Sequence, residues 1–184
     1  INNTKSALNS LFNKKYYVIR VGDDSANIFK YKNNDYLDTT KYKKNFEILN
    51  YTFSISDFYF GTSGSVSEVA EIYNKRKYIF SSVEYLKNEN SFNYTNTVIF
   101  KKLISRKEKK ILSIEEIFEK QLQHYLIYPD NTNNDYVLIE NSKEEILSGL
   151  DYFLKNRKGN FKKSILLQDY EDIRRKSNLR LNKE

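Results

Sequence analysis

The chain has 184 residues, enough for one domain or a small pair of domains with a real hydrophobic core. Hydrophobic residues make up 39% of it, and 16 Tyr and 12 Phe supply aromatic side chains that disordered chains lack. The absence of Cys excludes disulfides, thiolate nucleophiles and Cys-ligated zinc. A single histidine, His124, excludes most metal and triad chemistry that needs several histidines, and no orienting partner for it as a catalytic base can be identified.

The net charge of +7 is concentrated at the C-terminus. From Lys155 to Glu184 there are ten Lys or Arg against four Asp or Glu, so the rest of the chain carries only +1. No recognisable nucleic-acid-binding module accompanies this charge, and we expect no nucleic-acid partner. The basic tail and the run Lys107–Lys110 could contact anionic lipid headgroups, but the simpler interpretation of both is a solvated surface.

No run of apolar residues approaches the roughly 18 that a spanning helix needs, and the N-terminal sequence INNTKSALNSLFNKK lacks the apolar stretch of an export signal. The sequence therefore predicts a cytoplasmic protein.

The first third of the chain alternates helical and strand-like patterns. Residues 2–14 place Ala7, Leu8, Leu11 and Phe12 on one helical stripe, and residues 16–21 form a β-branched and aromatic run that stops at Gly22. A short strand is predicted over residues 36–39. The segment KKNFEILNYTFSIS then predicts a helix with Phe46, Leu49 and Phe53 on its buried face. Ile48, Thr52 and Ile55 widen that face.

The segment DFYFGTSGSVSEVAEIYNKRKYIFSS predicts a βαβ unit. Residues 57–60 form an apolar burst that ends at Gly61, a turn with two glycines follows, and helical spacing then leads to a second strand in KYIFS. The strands of such a unit are parallel. The turn therefore lies at the carboxyl end of a strand and opens a helix.

The rest of the chain continues the alternation. A strand is predicted at residues 97–100, followed by the charged stretch KKLISRKEKKIL, to which we assign no strand. Ser113 and Ser142 each begin a Ser-x-x-Glu capping box before a helix, and a strand is predicted at residues 136–140 between the two helices. SILLQDYEDIRRKSNLRL predicts a last amphipathic helix. The pattern as a whole predicts an α/β fold with a mostly parallel sheet.

The turn between the first strand and helix of the βαβ unit is the best candidate for binding chemistry. Ligands of open parallel sheets bind beyond the carboxyl ends of the strands, where backbone N–H groups and the positive end of a helix dipole suit a diphosphate. The simpler interpretation is a tight turn with an N-cap, since the spacing matches neither the Walker pattern nor the full dinucleotide fingerprint. The candidate diphosphate-binding residues here are Gly61, Thr62, Ser63, Gly64 and Ser65.

Three further residues are candidates near this turn. Arg20 and Gly22 end an earlier strand and would face the same edge of the sheet if the two strands lie near each other. An arginine there can hold a phosphate, and a surface salt bridge is the alternative for Arg20. Glu68 lies in the first helical turn and could reach a ribose diol, although the helix dipole alone favours an acidic residue there. Asp23 and Asp24 are most simply a solvated loop, and we predict no metal site.

Four segments follow one another along the chain: KKYYVIRVG, DFYFGTSGSVSEVAEIYNKRKYIFSS, FKKLISRKEKKILSIEEIFE and VLIENSKEEIL. Their order resembles the C-terminal part of a bacterial family of surface-polysaccharide glycosyltransferases with two Rossmann-like domains, the GT-B architecture. The resemblance covers roughly residues 5 to 155.

The resemblance implies a Rossmann-like three-layer lobe over residues 1–155, with a basic helical tail over 156–184. This lobe would bind a nucleotide-diphosphate sugar, with residues 61–65 at the diphosphate and Glu68 toward the ribose. The transferase would need no metal or other cofactor. The resemblance also implies that the lobe's first strand and an N-terminal acceptor lobe are missing, so that the chain alone is inactive.

The sequence departs from the family pattern in two places. The family usually has a Gly-Lys/Arg-Pro step before the second strand of the βαβ unit, whereas this chain reads Asn74-Lys75-Arg76-Lys77. The Ser and Gly positions of the turn are also permuted.

The function implied by the resemblance is sugar transfer in the synthesis of capsule, lipopolysaccharide or O-antigen, at the inner face of the membrane. A sugar-nucleotide epimerase-like enzyme and a non-catalytic α/β interaction module remain alternatives.

Overall fold

The computed structural model describes residues 2–22, 31, 33–40, 42, 46–83, 96–122, 135–156, 168–173 and 175–176. Its helices are a 3₁₀ turn Asn2–Thr4, α1 Lys5–Asn13, α2 Phe46–Ile55, α3 Ser65–Ile72, α4 Ile114–Glu119 and α5 Lys143–Lys155. Its strands are β1 Val18–Arg20, β2 Tyr36–Asp38, β3 Phe58–Gly61, β4 Arg76–Ser82, β5 Thr97–Phe100, β6 Lys102–Ser105, β7 Lys110–Ile111 and β8 Tyr136–Ile139. Residues 168–173 are also helical, within the predicted C-terminal helix.

Within the described residues the strands form three small sheets, and most of the pairing is parallel. β1 pairs with β2, and β3, β4 and β5 pair in that order, all in parallel. The α/β class and the parallel βαβ unit are therefore confirmed. The third sheet, in the order β7-β6-β8, is antiparallel.

The charged stretch to which no strand was assigned forms two strands, so that part of the prediction was wrong. β6 and β7 make a hairpin in which Leu103 and Ser105 are buried, while the lysines between the strands lie at the exposed turn. The alternation of a half-buried strand is short here and is surrounded by charge, so composition masked it.

Helices cover both faces of the β3-β4-β5 sheet. The Tyr78 hydroxyl donates to the carbonyl of Ile146 in α5 at 2.8 Å. The neighbouring Lys77 points the opposite way, and its Nζ donates to Glu71 of α3 at 2.6 Å. Because side chains of a strand alternate between its faces, α5 and α3 lie on opposite sides of β4. α1 packs beside α5, and α2 contacts α3.

The larger core lies between the parallel strands and the α1–α5 layer. Its fully or nearly fully buried members are Ala7, Leu8, Leu11, Phe12, Tyr78, Ile146, Leu150 and Phe153. The predicted stripe of α1 accounts for half of them, as its helical spacing requires. This core holds α1 directly beneath the strands.

A smaller core joins the antiparallel sheet to α4. Leu103, Leu112, Ile117 and Phe118 are buried in it, and Tyr170 and Ile173 of the C-terminal helix pack against it. The Tyr170 ring stacks on Phe100 at a centroid distance of 5.9 Å. The described part of the basic tail therefore contributes apolar packing.

The predicted face of α2 was only partly right. Phe53 is 3% exposed as expected, but Phe46 is 73% exposed at the first turn of the helix. Thr52, which belongs to the same predicted face, is buried beside Phe53 as expected, whereas Ile55 is 56% exposed. Among the described helices, none combines the length and apolar character needed to cross a bilayer.

Candidate functional site

A cleft of about 860 Å³ lies between β1 and β3. It is lined by the unbroken run 16–21 on one side and the unbroken run 56–62 on the other. The rings of Tyr16 and Phe58 meet edge to face at its amino-terminal end, with centroids 5.5 Å apart. Arg20, Gly61 and Thr62 line its carboxyl-terminal end. The structure thus brings two of the predicted turn residues and Arg20 to one cleft.

The turn after β3 depends on the close approach of a glycine to an aromatic ring. The Tyr59 hydroxyl donates to the carbonyl of Thr62 at 2.8 Å, which lays the ring against Gly61. A Cβ on Gly61 would collide with that ring. Burial raises the pKa of Tyr59 to about 12, so this hydroxyl remains a donor at neutral pH. A side chain at position 61 would therefore displace the Tyr59 ring, whatever the turn binds.

Gly64 directly precedes α3, and Ser67 lies in the first turn of that helix. Gly64 has φ +147°, a conformation that favours glycine, and its carbonyl accepts from the N–H of Ser67 at 2.9 Å. The buried Ser67 hydroxyl accepts from the N–H of Gly64 at 3.2 Å and donates to the Gly64 carbonyl at 2.7 Å. Ser67 thereby supplies a side-chain hydrogen bond to the backbone at the start of α3.

The exposed end of this helix retains free donors. Within the described residues, the N–H groups of Ser65 and Val66 have no acceptor, and Ser65 and Thr62 are exposed. Ser63 is half-buried. First-turn N–H groups without partners, at the positive end of a helix dipole, can receive an anion.

Arg20 is held in an ion pair, the alternative considered for it. Its Nη1 donates to Asp38 Oδ2 at 3.0 Å across the β1–β2 ladder, and the arginine side chain is 17% exposed. Burial would raise the pKa of Asp38, but hydrogen bonds from Thr40 and the Arg20 guanidinium hold it below its usual value. Any phosphate bound by Arg20 would share the guanidinium with Asp38.

The other predicted residues lie outside the lining of the cleft. Gly22 is exposed with φ +119°, which fits the predicted turn. Glu68 is exposed on the first turn of α3, where the Ser67 hydroxyl lies 3.5 Å from its Oε1. Asp23, Asp24 and His124 lie outside the described residues. Among the residues that are described, no three His, Cys, Asp or Glu side chains group as metal ligands.

The sequence analysis missed two polar residues that line the cleft, Ser81 and Glu140, and the neighbouring Asn141. Ser81 adopts a left-handed conformation with φ +53°, and its N–H donates to the buried Asn141 side chain at 2.7 Å. Asn141 also donates to the Phe100 carbonyl at 2.9 Å, which ties β4 to the end of β5. Glu140 lines the cleft and pairs with Lys101.

A signal for this cluster did exist, since each residue follows or ends a predicted strand. Residues other than glycine in a left-handed conformation, such as Ser81, are often found at functional sites. The conformation of Ser81 also allows its N–H to bond to the Asn141 side chain.

No protein-family model, curated protein or solved structure matches this chain.

Proposed function

We propose that this chain is the donor-binding lobe of a glycosyltransferase that uses a nucleotide-diphosphate sugar to build a surface polysaccharide. One observation supports this most: the glycine-containing turn 61–65 lies at the carboxyl end of a parallel strand, on the rim of a cleft, and opens a helix. Open parallel sheets bind ligands at such edges.

The chemistry that this edge could supply is electrostatic. The N–H groups of Ser65 and Val66 and the dipole of α3 would receive the negative charge that develops on the departing diphosphate. Donors already fixed in position need no reorganisation during the reaction. The acceptor and its base belong to a second lobe in this proposal, and no metal or cofactor is required. The lobe alone should bind donor without turnover.

The distribution of surface charge matters for where the enzyme would contact a membrane. Within the run Lys107–Lys110, for which lipid contact was one alternative, Lys110 pairs with Glu116 and Glu108, while Lys107 and Lys109 are exposed. Because Glu108 and Glu116 pair with Lys110, they reduce the positive charge of this run. The proposal therefore places membrane contact, at the cytoplasmic face, on the basic tail.

Calorimetric titration with a panel of nucleotide sugars tests this function. We expect binding of one uridine, guanosine or cytidine diphosphate sugar, and about ten- to hundredfold weaker binding in Glu68→Gln, because a hydrogen bond to a charged group contributes about 1.5–3 kcal/mol. Glu144→Gln is the matched control, since Glu144 is also an exposed first-turn acid, on α5. Absence of heat with every sugar would overturn the proposal.

A second function is favoured by the Arg20–Asp38 ion pair. An arginine already neutralised by a carboxylate is a poorer phosphate ligand, which fits a non-catalytic α/β module that has kept only the fold. The same titration separates the two functions: this module would bind no nucleotide sugar.

A further inference from the structure

We propose that the cleft between β1 and β3 is a slot for one more β-strand, supplied by a partner polypeptide as an extended apolar segment that runs parallel to both. The proposal does not depend on the glycosyltransferase function. It concerns the gap between the β1-β2 sheet and the β3-β4-β5 sheet, whereas the proposed diphosphate site lies at the carboxyl end of β3.

The lining of the cleft shows that two strand edges face each other. Successive side chains of a strand alternate between its faces, so a cleft on one face would be lined by every second residue. Here every residue of the runs 16–21 and 56–62 lines the cleft. β1 has a strand neighbour only in β2, and β3 only in β4, among the strands described.

The backbone of β1 is positioned to pair with a strand in the slot. The N–H of Val18 donates to the Asp35 carbonyl at 2.8 Å, and the Arg20 carbonyl accepts from the N–H of Thr39 at 3.0 Å. These residues therefore direct their backbone groups toward β2. In a parallel ladder alternate residues point to opposite sides, so the N–H and carbonyl of Ile19 point into the slot.

The same alternation applies to β3. The N–H of Lys77 donates to the Asn96 side chain at 2.7 Å, on the β5 side of β4. The next residue, Tyr78, therefore faces β3, where its register partner is Phe60. In a parallel ladder the backbone of Tyr78 bonds to the residues on either side of Phe60, which are Tyr59 and Gly61. The N–H and carbonyl of Phe60 therefore point into the slot.

Helices close both faces of the slot and determine the chemistry of the occupant. Leu8 and Leu11 of α1 line it, and so do Phe53 and Ile55 of α2. A strand buried on both faces in a parallel sheet consists largely of Val, Ile and Leu. Backbone pairing on both edges would provide the affinity, as in strand addition to a sheet edge.

The experiment titrates the full chain with an acetylated and amidated peptide, Lys-Lys-Val-Ile-Val-Ile-Gly-Lys, and follows amide hydrogen exchange. We expect exchange at Ile19 and Phe60 to slow at least tenfold, and exchange at Val18, which is already bonded within the sheet, to change little. The control peptide carries N-methyl groups on alternate residues, which keep the apolar side chains and remove donors. Equal binding of both peptides, or no binding, would overturn the proposal.

A pair of protein variants supplies an independent readout. Ile55→Lys places a charge on the wall of the slot, and Ile72→Lys places the same charge on α3 away from it. The two isoleucines are 56% and 77% exposed, so neither change should unfold the chain. We expect Ile55→Lys alone to weaken peptide binding at least tenfold; equal effects of both would contradict the slot. Nucleotide-sugar binding without peptide binding would sink this inference and leave the proposed function standing.

Discussion

The carboxylate of Asp38, which pairs with Arg20 of the cleft, accepts several hydrogen bonds. It accepts hydrogen bonds from the N–H and hydroxyl of Thr40 at 3.0 and 2.6 Å and from Arg20 at 3.0 Å. These contacts, which act against burial, lower the pKa of Asp38. The folded chain thus binds the Asp38 proton more weakly than the unfolded chain does. The resulting stability is present above about pH 4 and is lost as the pH falls through the folded-state pKa.

Asp38→Asn should therefore make the free energy of unfolding less dependent on pH at acid pH. Urea unfolding between about pH 6 and pH 3 measures this free energy, and we expect it to fall less on acidification than in the unmodified chain. Asp151→Asn, which removes an exposed carboxylate on α5, is the control and should keep most of the slope. An unchanged slope in Asp38→Asn would show that Asp38 is not the titrating group.

Gly64, Gly61 and Arg20 illustrate how much of the candidate site could be predicted from the sequence. The need for glycine at Gly64 follows from a turn before a helix, and the structure gives it φ +147°. The constraint on Gly61 comes from Tyr59, whose ring folds back over the turn, and no spacing rule contains that contact. The Arg20–Asp38 pair depends on strand register, which the sequence leaves open.

At the scale of elements, both predicted capping boxes are confirmed. Ser142 accepts from the N–H of Glu145 at 3.2 Å, and Glu145 accepts from the N–H of Ser142 at 2.9 Å. Ser113 and Glu116 repeat the arrangement. These signals are local, so they were readable without any tertiary contact.

Ser142→Ala should destabilise the chain by about 1 kcal/mol, because the first turn of α5 loses its cap. Ser148→Ala changes an exposed serine inside the same helix and should be neutral or stabilising by up to about 0.5 kcal/mol. Urea unfolding of the two variants provides the comparison. Equal effects would mean that the cap contributes nothing.

The ion pair between Lys77 of β4 and Glu71 of α3 leads to a second prediction at the scale of elements. The Lys77 side chain is only 1% exposed, and its Nζ is 2.6 Å from the carboxylate of Glu71. Glu71→Ala leaves a buried ammonium without its partner and should cost roughly 1–3 kcal/mol or more. Lys77→Met replaces the charge with an apolar chain of similar length and should be close to neutral.

Glu68→Ala, on an exposed face of the same helix, is the control for a lost helical carboxylate. Thermal unfolding of the three variants should rank Glu71→Ala as the least stable. A larger loss in Lys77→Met than in Glu71→Ala would contradict the account of the pair.

At the scale of the whole molecule, alternating strand and helix patterns were sufficient to predict an α/β fold with mostly parallel strands. They did not show that the strands divide into three sheets, because pairing is set by long-range packing. The hairpin of β6 and β7 was missed because its short alternation is surrounded by charge, and because Leu103 and Leu112 are recognisable as core residues only once they are seen against α4. The cleft is likewise a property of the assembled layers.

The central claim is that the turn 61–65 receives the diphosphate of a nucleotide sugar. Its most direct test is the change in backbone amide chemical shifts when uridine, guanosine or cytidine diphosphate is added to the isotope-labelled chain. The account predicts shifts from Gly61 to Val66, carried by the N–H groups of the first turn of α3, and none in the β6–β7 hairpin. Shifts confined to other elements, or none with any of the three nucleotides, would contradict it.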